Sequence, residues 1–194
     1  MLSLKERLTV LESDILANPM RISAYHDLPF AIFCYPPQEE YLMRKEMERF
    51  KTRVENQGKK VQIISLAKLF WKAIEENDSL ESLVQLEKLF GFDRIQETVR
   101  TYLSSDDFSS LPKMVLEAFK DLDPQKDIAI LYRAGALAPN FYRMSVLLNE
   151  LHGKTMVPLI LLYPGSREGE SQLRFMNMEG RQAISGYNYR VKVY

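Results

Sequence analysis

Apolar residues in this chain follow two rhythms. In some stretches they run without a break, and in others they recur every three or four positions. The densest run lies in Thr155–Gly165 (TMVPLILLYPG), where Pro158 to Tyr163 are apolar throughout, with Gly153–Lys154 before and Pro164–Gly165 after. Such a run predicts a strand buried on both faces, of the kind that sits centrally in an α/β sheet. Asp127–Tyr132 (DIAILY) has the same character, and a helical pattern from Pro139 to Leu151 lies between the two. Together they predict a β-α-β unit with parallel strands. Pro29–Tyr35 (PFAIFCY) and Val61–Ser65 (VQIIS) add two further strands.

The helical rhythm fills most of the rest. Leu4, Leu8, Leu11 and Ile15 form one stripe, ended near Asn18–Pro19. Met43, Met47, Phe50 and Val54 form a second, closed at Asn56–Gly58 with Gly58 as C-terminal cap. From Leu66 to Leu122 the pattern is helical throughout, in four segments; Asp78 or Ser79 caps the second and Ser110 the fourth. The expected architecture is a single α/β domain over residues 1–194 with a helical insertion at 66–122 after the second strand. Its central sheet is mostly parallel, with helices on both faces. Ser171–Met176 (SQLRFM) and Tyr189–Tyr194 (YRVKVY) alternate polar and apolar residues, which predicts C-terminal edge strands with one wet face. The Gly180–Gly186 region between them reads as the loop of a hairpin.

Composition narrows the function classes. Lysine plus arginine and aspartate plus glutamate number 26 each, so the excess positive charge that drives non-specific nucleic-acid binding is missing. The one cysteine, Cys34, excludes an internal disulfide and fits a reducing compartment. No apolar run approaches the ~20 residues of a membrane span, and MLSLKERL lacks a signal-peptide core. A cytoplasmic protein is expected.

The search for chemistry is mostly negative. Where a nucleotide-binding α/β protein carries phosphate-cradling glycines, this chain reads Tyr35-Pro-Pro-Gln-Glu-Glu40, with two prolines that lack N–H donors and two carboxylates. His26 and His152 have no partner at metal-ligand spacing. Cys34 lies inside an apolar strand, where nothing lowers a thiol pKa. No catalytic residue, metal site or cofactor is expected. Ligands of parallel sheets collect at the carboxyl ends of the strands, here marked by Tyr35, Arg133, Gly135, Tyr163, Pro164 and Gly165, with Arg143 on the following helix. Arg133, Arg143 and Tyr163 are therefore candidate contacts for an anion or a partner's carboxylate. If the two alternating strands pair, Arg174, Arg190, Lys192 and Tyr194 share one wet face, a candidate partner-binding surface.

An ordered set of motifs is familiar. LPFAIFCYPPQE (Leu28–Glu39) is followed by Leu131–Gly135 with Pro139, Arg143 and Leu147–Asn149. Leu162–Gly165 follows with Gly169, Leu173 and Phe175, and the set closes on Asn188–Arg190. In this order and spacing they resemble the BrxB family of the bacterial BREX phage-defence systems. The resemblance implies a non-catalytic accessory or assembly subunit. Its partners would be other BREX proteins: an ATPase, a methyltransferase or an alkaline-phosphatase-like protein. It carries over no catalytic residue. The alternatives are a degenerate nucleotide-binding α/β protein and a DNA-contacting subunit; direct nucleic-acid binding and a membrane are not expected, and the oligomeric state is left open.

Overall fold

In a computed structural model, described here over residues 2–23, 28–138, 141–168, 172–178 and 191–194, the unbroken apolar runs are the strands of one sheet. They are β1 (Phe30–Tyr35), β2 (Val61–Ser65), β3 (Ile128–Tyr132) and β4 (Leu159–Glu168), joined by β5 (Gln172–Phe175) and β6 (Lys192–Val193). The order is β2-β3-β4-β1-β6, with β5 attached to β4. The pairs β2–β3, β3–β4, β1–β4 and β1–β6 are parallel, as the β-α-β reading requires. All six residues of β1 are buried, so both of its faces are covered.

The periodic stretches are helices on both faces. On one side lie α1 (Leu4–Leu16) and α2 (Glu40–Glu55). Ser3 and Glu6 form a capping box that opens α1, and Leu8, Leu11 and Ile15 turn inward. Met43, Met47, Phe50 and Val54 of α2 meet them over Ala31, Phe33, Ile130, Ile160 and Leu162. On the other side lie α3 (Leu66–Asn77), α4 (Leu80–Phe90), α5 (Phe92–Ser104), α6 (Leu111–Ala118) and α7 (Met144–Leu151). Phe70, Ile74, Val99, Leu103, Val115 and Leu147 pack with Phe30, Ile32, Leu131 and Leu161 of the strands. Since strand side chains alternate, odd and even residues of β1 feed different layers. The C-cap of α2 is Asn56 rather than Gly58, which follows two residues later at φ 84° in the turn that leaves the helix.

Three further expectations need correction. Pro164–Gly165 does not end the fourth strand, which runs on to Glu168. The pair instead marks where β4 changes partner: Tyr35 of β1 is opposite Pro164, and Phe175 of β5 is opposite Gly165. The helix expected from Pro139 begins only at Met144. A 3-10 turn, Ala134–Leu137, and an extended Arg143 come first, and Pro139 and Asn140 lie outside the described residues. Tyr142 is buried in this stretch, and Phe141 sets its ring edge-on to Phe70 at 5.2 Å, so packing rather than helix periodicity dictates the path. Finally, β5 and β6 do not form a hairpin. β5 is antiparallel to the far half of β4, and β6 is parallel to β1.

Gly165 has no room for a side chain, because a Cβ there would lie 2.1 Å from the Arg174 carbonyl oxygen. Gly165→Ala should cost about 3 kcal/mol, read as a lower urea midpoint at unchanged slope. Gly58→Ala faces open space and bears only the positive-φ strain, so its cost should be about 1 kcal/mol. Equal losses at the two positions would refute the steric account.

Candidate functional site

The carboxyl ends of β1, β3 and β4 meet at one recess of about 280 Å³. Pro36 and Pro37 stop β1, and a 3-10 turn over Pro37–Glu39 leads directly into α2. The first turns of α2 therefore stand over the strand ends and place Glu40 and Arg44 in the wall of the recess. Arg44 is exposed, while its neighbour Met43 anchors that turn in the core. Opposite, Arg133 follows β3 in the left-handed region (φ 60°, ψ 37°), and Gly135, Pro164 and Met176 complete the lining. The Met176 thioether would lie only 3.3 Å from a Cβ at Gly135.

The electrostatics of the recess are lopsided. The Tyr35 hydroxyl donates to Glu40 Oε2, so one carboxylate oxygen is already occupied. Burial pushes the Tyr35 phenol well above its ordinary pKa, and the bond to Glu40 adds to the shift. Among the described residues, neither the Arg44 nor the Arg133 side chain makes a hydrogen bond or an ion pair.

Of the three residues expected at the strand ends, Arg133 lines this recess. Tyr163 is buried in the core, its ring 5.2 Å from Phe175 and edge-on to it. Arg143 is exposed at the N-cap of α7 and does not belong to the wall. Arg44 was missed. A signal existed, because the helix following a parallel strand begins at that strand's carboxyl end, which puts its first charged residues there.

The C-terminal set is divided. Arg174 lies on β5 between buried Leu173 and Phe175, and Arg190 lies outside the described residues. Lys192 and Tyr194 flank β1 on its other edge and turn to α1, where Lys192 Nζ meets Asp14 Oδ2 at 2.5 Å. The Tyr194 hydroxyl donates to the same oxygen at 2.8 Å, and Arg21 Nε lies 3.3 Å from Oδ1. Burial pushes the Asp14 carboxyl up, but the bonds from Lys192 and Tyr194 and the nearby positive charges outweigh it, so its pKa is lowered. The group therefore stabilises the fold fully above the ordinary carboxylate range, near pH 3.9, and loses that contribution as pH falls through the lower folded value. Asp14→Asn should lower stability at neutral pH by about 2 kcal/mol. It should also flatten the acid limb below the ordinary carboxylate range. Urea midpoints across pH check both, and parallel acid limbs for the two proteins would refute the assignment.

Elsewhere the chemistry is sparse. Burial pushes the Cys34 thiol up to about 11, against the opposing pull of Arg7 and Arg167. Among the described residues no group of three or more His, Cys, Asp or Glu could hold a metal ion. Nor is any helix long and apolar enough to cross a membrane. His26 lies outside the described residues. A larger hollow of about 570 Å³ opens at the opposite, amino end of the sheet, walled by Pro19, Met20, Pro29, Pro158 and lysines 59 and 126.

Comparison with known proteins gives one family. The family described as BREX protein BrxB matches residues 62–192, more than half of the chain. A curated relative, BREX protein BrxB of Bacillus cereus (strain H3081.97), is 27% identical over 146 residues, covering 74% of each chain. No solved structure matches.

Proposed function

Because the chain belongs to the BREX protein BrxB family, we propose that it is a non-catalytic accessory subunit that assembles with other proteins of a BREX phage-defence system. The observation that carries this reading is the apolar tip between α4 and α5. Leu89, Phe90 and Phe92 are 74%, 65% and 54% exposed, and they flank a single residue, Gly91. Gly91 sits at φ 82°, ψ 168°, a backbone conformation open essentially to glycine only. That geometry ends α4 and starts α5 within one residue, so the three side chains are held outward on a defined corner. Adjacent large apolar groups held in water mark an interaction surface, and aromatic anchors of this kind dominate binding energy. The partner is one of the ATPase, methyltransferase or alkaline-phosphatase-like proteins of the same system. Lys192 and Tyr194 are poorer candidates, since Asp14 already takes up their polar ends.

The non-catalytic part of this proposal draws on the chemistry of the described side chains. The cysteine is buried and hard to ionise, and at the strand ends the Glu40 carboxylate is engaged by the Tyr35 hydroxyl, whose buried phenol is itself hard to ionise.

The test is the double variant Leu89→Glu with Phe90→Glu. Both positions are exposed, so stability should stay within about 0.5 kcal/mol of the parent. Recovery of other BREX proteins with the tagged variant, from cells expressing the remaining BREX genes, should fall at least tenfold. Co-purification at the parental yield would overturn the α4–α5 tip as the docking surface.

A further inference from the structure

We propose that the recess between Arg44 and Arg133 is a carboxylate-binding site, which takes an aspartate or glutamate side chain, or a chain's C-terminal carboxylate, from a bound protein. The inference deepens the assembly reading but does not rest on the α4–α5 tip, which is a separate surface.

Two arginines line the recess from different elements, one on α2 and one just after β3. Among the described residues neither side chain is ion-paired or hydrogen-bonded. Arginine prefers to pair bidentately with a planar oxyanion, and two arginines in one wall favour such a ligand. Position 133 strengthens the case. An arginine in the left-handed region costs about 1–2 kcal/mol that glycine avoids, so the backbone favours glycine where the chain carries a guanidinium beside a pocket. Elsewhere among the described residues positive φ falls on Gly58, Gly91 and Gly153, and on Met176 and Asn177 at the end of β5.

Charge and size select the carboxylate over a phosphate. Glu40 shares the wall, so the lining carries two positive charges and one negative, which suits a monoanion better than a dianion. Phosphate sites are built on backbone N–H groups, and Pro36 and Pro37 remove two of them at the end of β1. The volume, about 280 Å³, is at or below the lower end of small-molecule pockets and matches one side chain rather than a nucleotide. Gly135, Pro164 and Met176 supply the apolar part of the lining, where the methylenes of an acidic side chain would rest.

The experiment follows the Nε–H resonances of the arginines by NMR. The full chain is titrated at constant ionic strength with glutarate and, separately, with inorganic phosphate. The Arg44 and Arg133 signals should shift together and saturate with glutarate. The apparent Kd should rise at least threefold in Arg44→Gln and in Arg133→Gly, and stay unchanged in Arg94→Gln, an exposed arginine on α5 that removes the same charge elsewhere. Arg133→Gly should melt no lower than the parent, because it relieves the strain, so loss of binding there cannot be put down to unfolding. Absence of saturation, or equal affinity in all three variants, would overturn the site. Tighter binding of phosphate than of glutarate would overturn the carboxylate assignment. None of these outcomes depends on the docking of a BREX protein, so the recess and the assembly reading can fail separately.

Discussion

The strand β4 is the constraint on which the rest depends. It is hydrogen-bonded to β3, β1 and β5, and every polar backbone group along a buried strand needs a partner. Its two halves serve different neighbours, so somewhere along it the ladder must change hands. Pro164 stands at that point with no N–H to leave unmet, while its carbonyl still accepts from Met176 N at 2.8 Å. Gly165 follows because the β5 backbone passes too close for any Cβ. This exchange carries β5 onward until Met176 comes against Gly135, which forms one wall of the recess at the strand ends.

The two helical layers differ in a way that bears on function. α1 and α2 are fully committed to the sheet, each with a continuous buried stripe. On the opposite side α3, α5, α6 and α7 do the covering, and α4 buries only Leu83 completely. Burying one large aliphatic side chain contributes roughly 1.5–3 kcal/mol, which is little for an 11-residue helix. Local polar contacts hold it instead. The Ser79 hydroxyl accepts from Ser82 N, and Asp78 accepts from Ser79 N and from the Tyr102 hydroxyl of α5. The Ser79 N–H bond is the largest influence lowering the Asp78 pKa, so this cap is made by an ionised carboxylate. A helix held mainly at its N-terminal end leaves apolar residues in water at the other, at Leu89 and Phe90.

Much of the architecture was legible because it is written in local patterns. Four apolar runs named four of the parallel strands, and stripes at helical spacing named the helices, with Ser79 and Ser110 as N-caps. Alternation also reported correctly which residues of the C-terminal strands turn inward: Leu173 and Phe175 are buried, and Val191 and Val193 pack against the same layer. Arg133 was legible because a parallel strand delivers its next residue to the ligand-binding edge.

What stayed hidden depends on contacts distant in sequence. Alternation fixes a strand's faces but not its neighbour, so nothing local could say that β5 joins β4 while β6 crosses to β1. Nor could it say that Lys192 and Tyr194 end on Asp14, some 180 residues earlier in the chain. Pro164–Gly165 read as a stop because those residues usually end strands; only the arriving β5 backbone turns them into a point of exchange. By itself, then, the sequence determined which stretches are strands and helices, though not all of their ends, and the two-sided burial of the sheet. The tertiary structure decided strand pairing, brought Arg44 to Arg133, and withdrew Tyr163 into the core, because each of these follows from the position of one segment relative to another.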